Sequence, residues 1–203
     1  KQVAEPKDGR LARPLLGTTR AETTAYCEER GLPWRDDPSN EEVFELISHA
    51  VETADSKTAP KLIESVRQVV VVNPDNVTLL ISFAQLVSKF VSVDESVRLL
   101  TARYEKLASS DKSAAANLQV SIGDIYLSRD KFAEAAVAYE RSLTTRGVDK
   151  AVKLDPDERE FATIVYEKLV DAQKRANRVE DAKATIARSR KLLGNEGNIA
   201  DRL

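Results

Sequence analysis

The side chains that could support acid–base or nucleophilic chemistry are few and lie far apart in the sequence. His49 is the only histidine and Cys27 the only cysteine among 203 residues. Glu28 and Glu29 follow Cys27 directly, and their negative charges disfavour a reactive thiolate. No second histidine or triad accompanies His49, so we expect it to have a packing role, buried or half-buried. The sequence therefore predicts no enzyme, no cofactor site and no metal site.

Length and composition favour a helical protein with a core of its own. The 203 residues are enough to bury a sizeable core, and they include only seven Gly and seven Pro. Charged residues make up 32% of the chain, yet the formal net charge is only −2. This balance argues against a broad surface for nucleic acid or anionic membrane. The longest apolar stretch, residues 77–87, is too short to span a bilayer.

The sequence leaves the cellular compartment open. A single cysteine excludes an internal disulfide but does not decide between cytoplasm and export. The chain begins at Lys1 rather than Met and shows no apolar signal core, which suggests a trimmed segment or a mature form. We expect a soluble protein, with the cytoplasm slightly favoured and an exported or periplasmic location left open.

Residues 118–143 carry the clearest structural pattern of the chain. Apolar residues recur there at helical spacing on both sides of a polar break at 128–131, which predicts a pair of helices. The two apolar faces comprise Leu118, Ile122, Ile125 and Tyr126, then Phe132, Ala135, Ala136, Tyr139 and Leu143. Asp130 stands where the N-cap of the second helix is expected. Gly123 and Ala135 are small residues within these faces, and they predict a close approach of the two helices.

This helical hairpin resembles a tetratricopeptide repeat. The residues that match the family pattern are Ile122, Gly123 and Tyr126 in the first helix and Ala135, Tyr139 and Ser142 in the second. The corresponding small residues of earlier repeats are Ala50 and Ala84, and the three small positions are spaced by 34 and 39 residues. The resemblance implies an all-α fold, an α-solenoid of about four antiparallel helix pairs wound into a right-handed superhelix.

The resemblance also implies a domain organisation. Residues 1–38 are expected to form an N-terminal arm with one short helix, and residues 39–203 to form the repeat domain. The expected repeats span about 41–74, 75–110, 113–154 and 155–193. Repeat three carries an insertion at 144–154, in which Gly147 is a helix breaker. Either the second helix of this repeat is long and bent at Gly147, or a surface loop protrudes.

Helix-capping patterns place the starts of three later helices. Asp94 and Asn177 are predicted N-caps because each is a short polar residue just before an apolar-periodic segment. Asp155 precedes Pro156 and lies three residues before Glu158, which is the spacing of a capping box. These patterns predict helix pairs joined by short turns.

Proteins of the resembled family bind peptides or helices on a concave surface lined by the first helix of each repeat. The resemblance therefore implies such a groove here. The groove residues implied by the alignment are Gln85, Lys89, Asn117, Asp124, Glu167, Asp171, Lys174 and Arg175. The Lys/Arg and Asn clamp with which some members hold a chaperone's C-terminal carboxylate has no cations at its places here, so that specialisation is not expected.

We therefore expect a protein-interaction module or scaffold that binds a partner peptide or helix, with no intrinsic catalysis and no membrane insertion. A self-assembling structural or oligomerisation domain is the alternative. Helical-repeat RNA binding is less favoured, because the expected groove mixes Asp124, Glu167 and Asp171 with cations and has few aromatic residues for stacking. The sequence does not name the partner.

Overall fold

The computed structural model describes residues 53–151 and 153–194, together with Tyr26, Glu29, Arg30, Ile47 and His49. Contacts divide the chain into two units, Lys1–Val43 and Phe44–Leu203. Predictions for Cys27, for most of the N-terminal arm and for most of the first helix of repeat one lie outside the described residues. Of the predicted short helix in the arm, Tyr26 and Glu29 are helical.

The described part of the second unit contains seven α-helices and one 3-10 helix, and no strand. The α-helices are α1 (Ala59–Val72), α2 (Val77–Phe90), α3 (Val93–Leu107), α4 (Lys112–Leu127), α5 (Phe132–Arg146), α6 (Pro156–Arg175) and α7 (Val179–Leu193). The 3-10 helix, Val148–Lys150, lies between α5 and α6. The prediction of an all-α fold is confirmed.

Helices that follow one another in the chain also pack against one another, as in a helical solenoid. Each of α1 to α6 contacts the next helix, and α2 additionally contacts α4. The buried residues form three hydrophobic clusters distributed along the helix series. This arrangement follows from the apolar stripe of each helix, which is covered only when its neighbours stack on it.

The start of α6 forms as the capping-box pattern at Asp155 predicts. Helix α6 begins with a complete capping box, in which the Asp155 carboxylate accepts from the Glu158 amide (2.8 Å) and the Glu158 carboxylate accepts from the Asp155 amide (3.1 Å). These bonds satisfy amides at the helix start that have no partner within the helix.

The prediction that Asp94 caps α3 is wrong. The helix starts at Val93, and the Ser92 hydroxyl accepts from the Glu95 amide (3.3 Å). Asp94 lies in the first turn of α3, where a negative charge is favourable because backbone amides point toward it.

The predictions that Asp130 and Asn177 are N-caps are also wrong. Both residues have a positive φ, 57° and 58°, and each belongs to the end of the preceding helix. The amide of the following residue donates five residues back, from Lys131 to Tyr126 (3.0 Å) and from Arg178 to Gln173 (2.8 Å). This is a Schellman ending, in which short polar side chains tolerate the left-handed conformation.

Residues 144–154, the predicted insertion, form neither a long bent helix nor a simple protruding loop. Helix α5 ends at Arg146, and Gly147 takes the left-handed conformation with φ 81°. The chain then turns through the 3-10 helix, and the side chains of Val148 and Leu154 are buried in the same cluster as α5, α6 and α7. The insertion is therefore anchored to the core at both of these residues.

Candidate functional site

Three of the eight predicted groove residues line one cavity between α2 and α4. The cavity measures about 360 Å³. Helix α2 contributes Gln85, Ser88 and Lys89, and α4 with the turn after it contributes Asp124, Ile125, Ser128 and Arg129. The structure thus brings Gln85, Lys89 and Asp124 together on one face.

The spacing of apolar residues in α2 turns Gln85 and Lys89 toward this cavity. Ala84, Leu86 and Val87 are buried, whereas Gln85 and Lys89, one helical turn apart, are exposed. The Lys89 ammonium donates to the carbonyl of Ala54 (3.2 Å) and lies 5.0 Å from the centre of the Phe90 ring. The amphipathic pattern of the helix therefore sets which side chains face the cavity.

Asp124 is held by side chains of two other helices. The Tyr139 hydroxyl of α5 donates to Asp124 Oδ1 (2.7 Å), and the Lys168 ammonium of α6 lies 2.6 and 2.7 Å from the two carboxylate oxygens. Burial and the neighbouring Asp124 carboxylate raise the pKa of Tyr139 well above its usual value. Lys168 compensates the charge of Asp124, so the cavity presents a fixed and largely neutralised carboxylate.

The small residue at Gly123 is what allows Tyr139 to reach Asp124. A Cβ atom at position 123 would lie 2.7 Å from Cδ1 of the Tyr139 ring, closer than real side chains approach. The predicted close approach at Gly123 therefore occurs, and it has a consequence beyond packing. Because Gly123 has no side chain, the Tyr139 ring can lie across α4 and place its hydroxyl at the carboxylate of Asp124.

Arg129 and Lys168 belong to this face, and the sequence reasoning missed both. The Arg129 guanidinium donates to the carbonyl of Ser88 (2.6 Å), which joins the turn after α4 to α2. Lys168 stands next to Glu167 in the sequence but pairs with a residue 44 positions away. The only sequence feature that pointed to Lys168 was its position one residue after the predicted groove residue Glu167. For Arg129 the sequence offered no indication beyond its place in the turn after α4.

The other predicted groove residues do not line the cavity between α2 and α4. Asn117 is exposed on α4, and Lys174 is exposed in the last turn of α6. Arg175 pairs with Asp171 at 3.0 Å, and its guanidinium lies 5.7 Å from the centre of the Phe132 ring. Glu167 is half-buried on α6. Asn117 thus lies on α4 and the other four residues on α6, and none of the five lines that cavity.

Of the two side chains singled out for chemistry, the structure describes His49, and Cys27 lies outside the described residues. His49 is exposed, so the expectation of a buried or half-buried packing histidine is wrong. Within residues 53–151 and 153–194 and the five isolated positions, no group of three or more His, Cys, Asp or Glu is arranged to hold a metal ion. No helix within these same ranges is long and apolar enough to cross a membrane.

The fold and this face define an all-helical protein of stacked helix pairs. No protein-family model matches the chain, and no solved structure matches it. Short stretches are similar to tRNA(Ile)-lysidine synthases. The match to the enzyme of Pseudomonas aeruginosa is 56% identical over 34 residues, 17% of this chain and 8% of the enzyme. The match to that of Bifidobacterium animalis subsp. lactis is 53% identical over 36 residues, 18% of this chain and 9% of the enzyme.

A third match, to the synthase of Pseudomonas fluorescens, is 56% identical over 34 residues. The matched part of the chain spans less than a tenth of the length of these curated relatives. A match of this extent covers too little of either protein to transfer the enzyme's activity to this chain.

Proposed function

We propose that this chain is a protein-interaction module whose helix pairs are tetratricopeptide-like repeats, and that it binds a partner peptide or helix without chemistry of its own. The observation that supports the proposal best is the shared cavity of Gln85, Lys89 and Asp124. Gln85 and Lys89 lie one turn apart on α2, and Asp124 reaches the same cavity from α4, in line with the groove that the repeat alignment implies.

The chemistry of this cavity suits a polar segment with an apolar anchor. Gln85 offers both a donor and an acceptor, Lys89 and Arg129 offer cations, and Ile125 supplies an apolar wall. Lys168 compensates the charge of Asp124, and the Arg129 guanidinium brings a positive charge to the same cavity. The partner segment is therefore expected to bring a carboxylate or an amide to this face.

The test is affinity capture from a native extract with the full 203-residue chain as bait. The groove variant is Gln85→Ala/Lys89→Glu, which leaves the structural residue Asp124 untouched. The matched control is Gln68→Ala/Lys61→Glu, with the same residue types at exposed positions of α1. A protein captured by the wild type and the control but lost with the groove variant is the expected result.

Two outcomes would overturn the proposal, provided that the variants keep wild-type helicity and melting temperature. Recovery of nuclease-sensitive RNA would favour RNA binding, which the short similarity to a tRNA-named enzyme makes worth testing. Recovery of the bait alone, together with concentration-dependent oligomers in light scattering, would favour the self-assembling domain.

A further inference from the structure

The last turn of α1 consists of four consecutive valines, residues 69–72. β-branched side chains lose rotamer freedom in a helix and are favoured in strands. With Gln68 and Asn73 at its ends, the segment 68–73 has six uncharged residues and neither Pro nor Gly. This is the composition of segments that pair as strands between chains. None of the predicted groove residues belongs to it, so the proposed function leaves it unexplained.

Packing supports only half of these valines in the helix. Val69 and Val70 are half-buried against the hydrophobic cluster that α1 shares with α2. Val71 and Val72 are 70% and 74% exposed, the largest exposed fractions of the exposed large hydrophobic residues in the described part. Because these two side chains gain little burial in the helix, their preference for a strand is not offset there.

Asn73 is the side chain that holds this turn in the helix. Its Nδ2 donates to the carbonyl of Val69 (2.9 Å), to which its backbone N–H also donates (3.1 Å). The last turn of α1 has no basic residue to interact with the helix dipole, whereas those of α2, α3, α5, α6 and α7 have at least one. Pro74 follows directly and prevents the helix from continuing. The side-chain support of this helix end therefore comes from one residue.

We propose that residues 68–73 form a helix-to-strand switch, in which the last turn of α1 unwinds and pairs as a β-strand with the same segment of a second copy of this chain. Val69 and Val71 then lie on one face of the strand, and Val70 and Val72 on the other. Valine lies opposite valine whether the two strands run parallel or antiparallel, and no like charges oppose each other.

The partner is a second copy because the segment complements itself. Backbone groups that unwinding releases become the donors and acceptors of the ladder between the two strands. Further copies add at the open edges of the pair, so the assembly grows with concentration and time. This inference goes beyond the groove and does not depend on it, since Gln85 and Lys89 lie on α2.

The test is the assembly of the purified 203-residue chain, incubated a few degrees below its melting temperature. Light scattering measures the rate, and infrared spectroscopy shows whether intermolecular β-sheet forms, which we expect for the wild type. Val71→Leu/Val72→Leu should slow assembly about fivefold, because leucine keeps the apolar surface but prefers the helix. Val137→Leu is the matched control at an exposed valine of α5, and it should leave the rate unchanged.

The opposite change is expected from Asn73→Ala, which removes the side-chain bond to Val69. Assembly should become about fivefold faster, the increase in the unwound population that corresponds to one lost hydrogen bond. Asp155→Ala is the matched control, because it removes a cap of α6 outside the segment. Its rate should equal that of the wild type when each variant is incubated at the same interval below its own melting temperature.

Four results would overturn the inference. Assembly of the leucine variant at the wild-type rate would attribute assembly to the apolar surface of an intact helix. Assembly without β-sheet would exclude strand pairing. Equal acceleration by Asn73→Ala and Asp155→Ala would show that general loss of stability controls the rate. No assembly of either the wild type or Asn73→Ala would show that the segment does not pair.

Discussion

The hairpins α4–α5 and α6–α7 bury side chains of different sizes. One combines a glycine with a tyrosine, and the other has a valine and an isoleucine. At positions that the predicted repeat alignment equates, α4–α5 places Gly123 against Tyr139, and α6–α7 buries Val170 and Ile186 in one cluster. All of these residues are buried, and Tyr139 is fully so. What the two hairpins share is therefore filled volume rather than residue type, because cores tolerate exchanges that keep the total volume.

The two hairpins differ more in their polar groups than in their packing. The Tyr139 hydroxyl donates to Asp124, whereas the hydroxyl of Tyr166 in α6 is buried near the Arg188 guanidinium without hydrogen-bond geometry. Burial raises the pKa of Tyr166, and Arg188 opposes the rise. The comparison indicates that α4–α5 uses its aromatic residue to position a side chain of the candidate face, whereas Tyr166 serves the core.

The largest effect is expected from Gly123→Val, which gives α4 the residue type that α6 carries at Val170. The added side chain would overlap the Tyr139 ring, and overpacking of this kind costs about 3 kcal/mol of unfolding free energy. The gain in helix propensity over Gly is only about 0.5 kcal/mol, so the overlap dominates. Urea denaturation followed by circular dichroism measures the loss.

The double variant Gly123→Val/Tyr139→Ile serves as the control, since it copies the Val–Ile pair of the other hairpin. We expect it to lose less than the sum of its two single variants, by about 1 to 3 kcal/mol. Additive losses would show that the two positions are not coupled and would contradict the comparison.

A smaller effect is expected from Tyr139→Phe, which removes only the hydroxyl. The lost hydrogen bond to a half-exposed carboxylate should cost about 1.5 kcal/mol, because Asp124 keeps Lys168 as its partner. Tyr166→Phe is the matched control and should change stability by less than about 0.5 kcal/mol, as its hydroxyl makes no hydrogen bond. The denaturation midpoints of the two variants measure these losses of stability. Equal losses would contradict the difference between the hydrogen-bonded Tyr139 hydroxyl and the Tyr166 hydroxyl.

The same tyrosine predicts a dependence of stability on alkaline pH. The pKa of Tyr139 is raised in the folded state, so its contribution is fully present below about pH 10, the pKa in the unfolded chain, and is lost as the pH rises further. The loss should amount to about 1.4 kcal/mol per pH unit for this one group. Tyr139→Phe should make the dependence of the unfolding free energy on pH shallower by that amount. A slope unchanged by the substitution would argue against a raised pKa of Tyr139 in the folded state.

The smallest effect is expected at the start of the α6–α7 hairpin. Asp155→Ala removes the side-chain acceptor of the capping box and should cost about 1 kcal/mol. Asp157→Ala, in the first turn of the same helix, removes a charge without removing the cap and should cost about 0.5 kcal/mol or less. Thermal melting monitored at 222 nm, a wavelength that reports helix content, measures both losses of stability. If the capping box made no contribution, Asp155→Ala would lower the melting temperature less than Asp157→Ala does.

Local patterns in the sequence were enough to predict helices of the repeat region. The amphipathic spacing located α2, and the capping box at Asp155 located the start of α6. Asp130 and Asn177 were misread because short polar residues suit both an N-cap and a left-handed helix ending. Only the backbone conformation distinguishes the two, and the residue type does not encode it.

Contacts between distant residues were beyond the sequence alone. Arg129 reaches the carbonyl of Ser88 across 41 positions, and Lys168 reaches Asp124 across 44. Both contacts depend on how neighbouring helix pairs stack. The spacing of the predicted repeats along the sequence constrains this stacking only coarsely. The assignment to the tetratricopeptide family and the role of the groove stay predictions.

The bonding of Asp124 has a consequence for how this face could acquire a new partner. Its carboxylate ties α4 to Tyr139 of α5 and to Lys168 of α6, so a substitution there changes architecture and recognition together. Exposed positions such as Gln85 and Asn117 carry no comparable tie between helices among the bonds of the described residues. Protein engineering that retargets the face should therefore begin at Gln85 and Asn117 and keep Asp124 as a fixed part of the scaffold.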